Sequence, residues 1–121
     1  MCSNYTPSKR SALPQSFGVE PPADDWKEEA FPGYLAPIVR AAEDRSGDIE
    51  SVNACFGMVP KWAELKLSRH TYNARSETVA SKPSFRHAYA KRQLCIVPAE
   101  SIFEPNYETG KAVRWRIARD D

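Results

Sequence analysis

Cys2 directly follows the initiator methionine, and this position gives it a chemistry that an internal cysteine lacks. A cysteine is small enough for Met1 to be removed in front of it, which exposes an α-amine beside the thiol. The ordinary pKa is about 7.7–8.0 for the amine and about 8.5 for the thiol, so both are partly nucleophilic near neutral pH. The amine forms a Schiff base with an aldehyde, and the thiol then closes a thiazolidine ring. Position alone, however, favours a small residue in a loose terminus.

Two internal segments carry polar side chains that suit such a site. The first begins at Asn73, a neutral donor and acceptor, and continues with Arg75, a bidentate phosphate ligand, and the hydroxyl of Ser76. By itself this segment is more typical of a helix N-terminus capped by Asn73. The second segment places Glu104 between Phe103 and Pro105, an apolar setting that suits acid–base catalysis. By itself Glu104 is an ordinary glutamate on an edge strand.

The elements that must position these residues are short. Prolines and acidic residues predict an irregular arm over 3–33 with at most one short helix. Residues 60–72 are expected to form a basic loop. Helices are expected over 77–80 and 84–91, the latter capped by Ser84. Strands are expected over 34–39, with Pro37 at an edge or bend, and over 49–59 and 94–97, the last of them buried. A hairpin is expected to join 103–107 to 113–117, with Val113, Trp115 and Ile117 facing the core.

Composition favours one modest globular domain. The chain has 121 residues, a net charge of +1, ten prolines and a mean hydropathy of −0.59. Lysine and arginine outnumber acids over 61–92, which is compatible with nucleic-acid binding but also with a solvated basic face. No apolar run is long enough to span a bilayer and no signal-peptide core is present, so a soluble, cytoplasmic protein is expected.

The three cysteines do not predict a disulfide framework, because their number is odd and no secretory signal precedes them. Cys55 and Cys95 have apolar neighbours and are expected to be buried. Together with His70 and His87 they show no metal-ligand spacing, and the chain has no phosphate-binding glycine motif. We therefore expect neither a metal nor another cofactor.

In combination these segments resemble the SRAP family, the SOS-response-associated or abasic-site-processing proteins. The resemblance runs through the whole chain in order, and the block Asn-Ala-Arg-x-Glu-Thr at 73–78, after Gly-x-x-Pro-x-Trp at 57–62, is the most specific part of it. The matching segments are Met1-Cys2, 34–37, 56–62, 73–78, 83–86 and 95–104. The resemblance implies an α+β fold with a bent, largely antiparallel sheet or partial β-barrel and short helices.

The resemblance also implies roles for individual residues. Cys2 would be the nucleophile that crosslinks to the ring-opened sugar of an abasic site in single-stranded DNA. Asn73 would position that sugar or the α-amine, and Glu104 would be the acid–base residue. The implied DNA contacts are the phosphate ligands Arg75 and Arg86, the stacking surface Trp62, and Ser76 and Pro37 beside the strand. The family description adds lyase and autopeptidase activities in the DNA damage response, with the protein at the nucleoid during repair.

The chain departs from the family pattern at several positions. Ser3 and Asn4 replace the usual Gly-Arg after Cys2, Leu35 replaces an asparagine, and Pro105 replaces an aromatic residue. The His-x-Arg-Met-Pro type motif of the family has no counterpart here. We therefore expect residues 1–121 to form the N-terminal portion of a single SRAP-type domain. Exposed edges and apolar faces would then favour self-association.

Two other function classes stay open at this point. An N-terminal-nucleophile amidohydrolase also starts at a processed cysteine, although its four-layer sandwich needs a longer chain. A non-catalytic module for single-stranded DNA would use only the basic middle of the chain. A crosslink to abasic DNA that depends on Cys2 separates the first reading from both alternatives.

Overall fold

The computed structural model describes residues 2–120, in which five strands form two antiparallel sheets. The strands are β1 (Asn4–Pro7), β2 (Leu35–Ala41), β3 (Ile49–Cys55), β4 (Ala99–Asn106) and β5 (Val113–Ile117). One sheet has the order β1-β4-β5, and the other pairs β2 with β3. A π-helix (Leu13–Phe17), a 3-10 helix (Leu65–His70) and the α-helix α1 (Arg86–Ala90) complete these residues. The expected α+β class with antiparallel sheets is confirmed, and over 2–120 the sheets do not close into a barrel.

The β2–β3 hairpin tolerates Pro37 because of the direction in which its nitrogen faces. Pro37 pairs with Asn53, and two residues later the N–H of Val39 points away from β3 to the carbonyl of Ile96 at 2.9 Å. Residues two apart on a strand have the same orientation, so the N–H that Pro37 lacks would also have faced away from β3. The predicted edge position of this proline therefore costs the hairpin no hydrogen bond.

The N-terminal arm is more ordered than its prolines predict. Residues 4–7 form β1, which pairs with β4 from Asn4↔Phe103 to Pro7↔Ala99. On the other side of β1, Tyr5 and Ala30 exchange backbone hydrogen bonds of 3.1 and 2.8 Å. The expectation of an irregular arm with at most one helix is wrong for β1, because strand pairing with a distant segment supplies order that local composition does not show.

The buried core is small and has two parts. Tyr5, Ala30 and Ala36 form one cluster, against which Cys2 and Phe56 pack. Leu13, Val19 and Val39 form the other. β2 supplies Ala36 to the first cluster and Val39 to the second, so this strand links the two parts of the core.

Several apolar segments that were expected to be buried are exposed. Leu94, Ile96 and Val97 do not form a strand; only Ile96 bridges to Val39, and all three side chains are largely exposed. Val113, Trp115 and Ile117 lie in β5 as predicted, but each is about half exposed rather than facing a core. The hairpin of β4 and β5 itself is as expected. Alternation gave these side chains one common face, but no packed layer covers that face within residues 2–120.

The helical predictions also need correction. α1 begins at Arg86 with Phe85 as its N-cap and no side-chain capping bond, so Ser84 is not the cap. Residues 77–80 form turns, in which Thr78 and Val79 donate to the carbonyl of Arg75, rather than a helix. Cys55 is only half-buried and Cys95 is exposed, against the expectation that both are buried. Apolar neighbours in sequence did not guarantee a packed environment.

Candidate active site

Cys2 is held against the core instead of fraying. Its side chain is half-buried and packs on the cluster of Tyr5, Ala30 and Ala36. Its Sγ donates a hydrogen bond of 3.2 Å to the carbonyl of Asn4, the first residue of β1. The strand pairing of β1 therefore fixes the thiol two residues upstream. Met1 lies outside the described residues.

The surroundings of Cys2 favour its neutral thiol. Burial is the main cause that raises the pKa of Cys2, and the negative charge of Glu104 raises it further. Hydrogen bonds with the backbone of Asn4 and Phe103 act in the opposite direction but do not outweigh burial. The thiol is therefore a proton carrier near neutral pH, and an amine beside it would be the better first nucleophile.

Asn73 contacts Cys2 directly. Its Nδ2 donates a hydrogen bond of 2.9 Å to the backbone carbonyl of Cys2, across 71 positions of the chain. The helix-capping interpretation of Asn73 is thereby excluded, because α1 begins at Arg86. This contact joins the two segments that the sequence identified separately.

Asn73 reaches Cys2 because the segment before it is anchored to the end of β3. Thr71 Oγ1 donates to the carbonyl of Met58 at 2.6 Å, and the backbone N–H of Met58 donates to the carbonyl of Thr71 at 3.0 Å. Gly57 has a φ of 122°, and a Cβ built on it would lie 2.6 Å from the carbonyl oxygen of Ser68. Only glycine lets the chain pass Ser68 this closely.

An aromatic series supports the same approach. The rings of Tyr5 and Phe56 meet edge to face with centroids 5.2 Å apart, and those of Phe56 and Tyr72 meet at 5.8 Å. Tyr5 belongs to β1 and Tyr72 precedes Asn73. The series thus links the strand that holds Cys2 to the segment that holds Asn73.

Glu104 approaches Cys2 from β4. It pairs in register with Trp115 of β5, and its side chain is half-buried. Its negative charge contributes to the raised pKa of the Cys2 thiol, so the two groups lie close enough to interact electrostatically. The structure therefore brings together the three predicted catalytic residues, Cys2, Asn73 and Glu104.

A cavity of about 920 Å³ opens beside this group. Cys2 and Asn73 lie on its wall, and most of the remaining lining is apolar, including Phe56 and Tyr72. A small carbonyl compound or a deoxyribose unit fits this volume. The cavity gives a small molecule a route to Cys2.

The predicted DNA contacts differ in their accessibility. Trp62 is 70% exposed, and Arg75, Ser76 and Arg86 are exposed as well. Within residues 2–120 neither arginine is in a salt bridge, so both guanidinium groups are available to phosphates. Pro37, in contrast, is fully buried inside β2 and has no surface for a strand of DNA. Its place in a motif gave no information about its burial.

Sequence reasoning missed a polar network around Asn4, two residues after Cys2. Asn4 is only 3% exposed, and its Nδ2 donates a hydrogen bond to Glu29 Oε1. Arg114 of β5 donates to the same carboxylate oxygen. Glu29 lies in the acidic stretch of the arm, and nothing in its local sequence distinguishes it from Glu28.

Within residues 2–120, no three histidine, cysteine, aspartate or glutamate side chains cluster in a way that would hold a metal. No helix in this part of the chain is long and apolar enough to cross a membrane.

The comparisons with known proteins agree with one another. A sequence model described as SOS response associated peptidase (SRAP) matches residues 1–121. The abasic site processing protein YoaM of Bacillus subtilis is 40% identical over 71 residues, which cover 58% of this chain and 29% of YoaM. The abasic site processing protein HMCES of Mus musculus is 26% identical over 110 residues, covering 85% of this chain and 31% of HMCES.

Solved structures show the same fold. The crystal structure of a Bordetella bronchiseptica protein superposes with a TM-score of 0.83 and 31% identity, over 98% of this chain and 58% of that protein. A Bacteroides thetaiotaomicron protein superposes with a TM-score of 0.74 at 21% identity, over 99% of this chain and 55% of its own. The chain thus spans little more than half the length of these structures and less than a third of YoaM or HMCES.

Proposed function

We propose that this chain, which belongs to the SOS response associated peptidase (SRAP) family, processes abasic sites in single-stranded DNA by forming a covalent crosslink through Cys2. The observation that carries the proposal is the hydrogen bond of 2.9 Å from Asn73 Nδ2 to the carbonyl of Cys2. It fixes the backbone of the residue whose amine and thiol must both reach one aldehyde carbon. The names of the relatives YoaM and HMCES, both abasic site processing proteins, point to the same substrate.

The proposed reaction begins once Met1 has been removed and the α-amine of Cys2 is free. The amine attacks the aldehyde carbon of the ring-opened abasic sugar, and loss of one water from the resulting carbinolamine gives a Schiff base. The thiol sulfur then adds to the imine carbon while the thiol proton passes to the nitrogen. The product is a thiazolidine, and the net change is the release of one water molecule.

The raised pKa of the Cys2 thiol fits this order of events. A thiol that keeps its proton leaves the first attack to the amine and carries the proton that the second step needs. The electrostatic interaction of Glu104 with the thiol supports a role for its carboxylate in taking up and returning protons during ring opening and dehydration. Asn73 holds the backbone of Cys2 during both steps.

In this proposal, exposed basic and aromatic side chains bind the DNA strand. Arg75 and Arg86 supply phosphate contacts, Ser76 a hydroxyl and Trp62 a flat surface for a base. Because a stacked duplex does not present its sugars to a cavity, a single strand is the preferred form. The Schiff base is also the intermediate of abasic-site lyases, and closure of the thiazolidine diverts it from strand cleavage.

The test is incubation of the chain with a single-stranded oligonucleotide that carries one abasic site, followed by denaturing electrophoresis. We expect a crosslink that needs no reductant. Cys2→Ala keeps a terminal amine but no thiol, so its adduct should appear only after trapping with borohydride. Cys95→Ala removes a second thiol that also lies on the wall of the cavity, and normal crosslinking by this variant would assign the reacting thiol to Cys2.

Other outcomes would identify a different function. Binding of the oligonucleotide without any adduct from a chain whose Met1 has been removed would leave a non-catalytic DNA-binding module. Hydrolysis of glutamine by the same preparation would favour an N-terminal-nucleophile amidohydrolase.

A further inference from the structure

The segments that hydrogen-bond with the sulfur of Cys2 are both attached to one ion pair. Asn4 of β1 and Phe103 of β4 are partners in the β1–β4 register, and the backbone of each interacts with the thiol. Arg114 of β5 stacks its guanidinium over the ring of Phe103, 3.7 Å from the centroid. The same guanidinium donates to Glu29, which in turn accepts from the side chain of Asn4.

The side chain of Asn4 is held at both of its ends. Nδ2 donates to Glu29, and Oδ1 accepts a hydrogen bond of 3.2 Å from the hydroxyl of Ser3. Asn4 is almost completely buried, so a carboxylate that bonds to it is worth more than one at an open surface. The carbonyl of this residue accepts the hydrogen bond from the Cys2 thiol. Any displacement of Asn4 therefore moves the sulfur.

We propose that Glu29 and Arg114 are positioning residues for Cys2, which hold the paired backbones of Asn4 and Phe103 so that the thiol stays aimed at the aldehyde carbon. Neither residue touches the cavity that receives the sugar. Their effect is transmitted through Asn4 and Phe103. The expected effect on the crosslinking rate rests on the proposed function. The expected effect on the reactivity of the Cys2 thiol rests only on the contacts described above.

The chain offers a matched control pair. Arg10 forms an ion pair of 2.6 Å with Asp25 and lies over the ring of Trp26, 4.8 Å from the centroid. As with Arg114, one arginine here pairs with a carboxylate and lies over an aromatic ring, but this group lies elsewhere in the arm. The test therefore compares Glu29→Gln and Arg114→Gln with Arg10→Gln.

The first measurement needs no DNA. The rate of alkylation of Cys2 by iodoacetamide is followed by mass spectrometry on the peptide that contains it. Glu29→Gln and Arg114→Gln should each raise this rate several-fold, because the thiol is released from its half-buried seat, while Arg10→Gln should leave it unchanged. The alkylation rate of the double variant Glu29→Gln/Arg114→Gln should be close to that of either single variant, because both substitutions act through one contact.

The second measurement is the single-turnover rate of crosslinking to abasic single-stranded DNA at increasing DNA concentration. The maximal rate should fall about fivefold or more in both variants, because the hydrogen bonds to residue 29 lose their charge in Glu29→Gln and the guanidinium donor is lost in Arg114→Gln, while the half-saturating DNA concentration stays constant. A change confined to the half-saturating concentration would assign Arg114 to DNA binding instead and overturn the inference. Glu29→Asp, which retains the charge, should restore part of the rate.

The two arms separate the possible failures. A parent chain that gives no crosslink would contradict the proposed function, and the alkylation rates would still decide the role of Glu29 and Arg114. Alkylation and crosslinking equal to the parent in both variants would overturn the inference. Should Glu29→Gln fail to fold, Arg114→Gln carries the test, because the Arg114 side chain is 57% exposed and its loss leaves no buried gap.

Discussion

Asn73 Nδ2 donates a 2.9 Å hydrogen bond to the backbone carbonyl of Cys2, although the two residues are 71 positions apart. This bond fixes the end of the chain relative to the segment that follows β3. Asn73→Ala should slow crosslinking about fivefold, the equivalent of roughly 1 kcal/mol for one lost hydrogen bond. Asn73→Asp should be worse, because a carboxylate would face the carbonyl. Single-turnover crosslinking rates measure both effects.

Asn53→Ala is the control for this prediction. Asn53 also donates from its side-chain amide to a backbone carbonyl, that of Asp24 at 3.1 Å, but far from Cys2 in sequence and outside its cavity. A similar loss of rate in both variants would mean that Asn73 contributes only to general stability.

Glu104→Gln should change two properties of Cys2 in opposite directions. Removing the negative charge lowers the pKa of the Cys2 thiol, so the pH profile of its alkylation should shift to lower pH. Crosslinking should nevertheless become about 100-fold slower, because an acid–base group has been lost. Glu108→Gln, in the exposed turn between β4 and β5, should alter neither property. An unshifted alkylation profile would show that the charge of Glu104 does not act on the thiol.

Gly57→Ala should destabilise the fold more than Gly47→Ala. Both glycines have positive φ, which costs a residue with a Cβ about 1–2 kcal/mol. Gly47 has open space around it, whereas a Cβ at Gly57 meets the backbone of Ser68 at 2.6 Å. The extra loss should displace the segment that carries Asn73 and slow crosslinking as well. Urea unfolding of the two variants, with equal losses as the contrary result, tests this interpretation.

The burial of Tyr5 predicts that the fold loses stability at alkaline pH. Burial raises its pKa from 10.0 to about 12, so the folded chain keeps a proton that the unfolded chain loses above pH 10. The stability from this neutral phenol is fully present below about pH 10 and is lost as pH rises toward 12, by about 2–3 kcal/mol. Tyr5→Phe should flatten the dependence of unfolding free energy on pH in that window. An identical slope in Tyr5→Phe would contradict the assignment.

The sequence predicted best what depends on local pattern. The β4–β5 hairpin follows from alternation and turn residues, and the strands β2 and β3 lie where β-prone segments were expected. Cys2, Asn73 and Glu104 were selected from their types and order, and their catalytic roles stay predictions. β1 and the Asn4–Glu29–Arg114 network could not be predicted, because each depends on segments far apart in the chain. Val113, Trp115 and Ile117 were correctly placed on one face, but burial of that face depends on what packs against it.

The intact mass of the adduct with abasic single-stranded DNA tests the central claim most directly. The account predicts a species whose mass equals the chain without Met1 plus the oligonucleotide, less one water molecule, with the linkage mapped to Cys2 after digestion. Absence of an adduct from the processed chain, or an adduct mapped to a lysine, would contradict it.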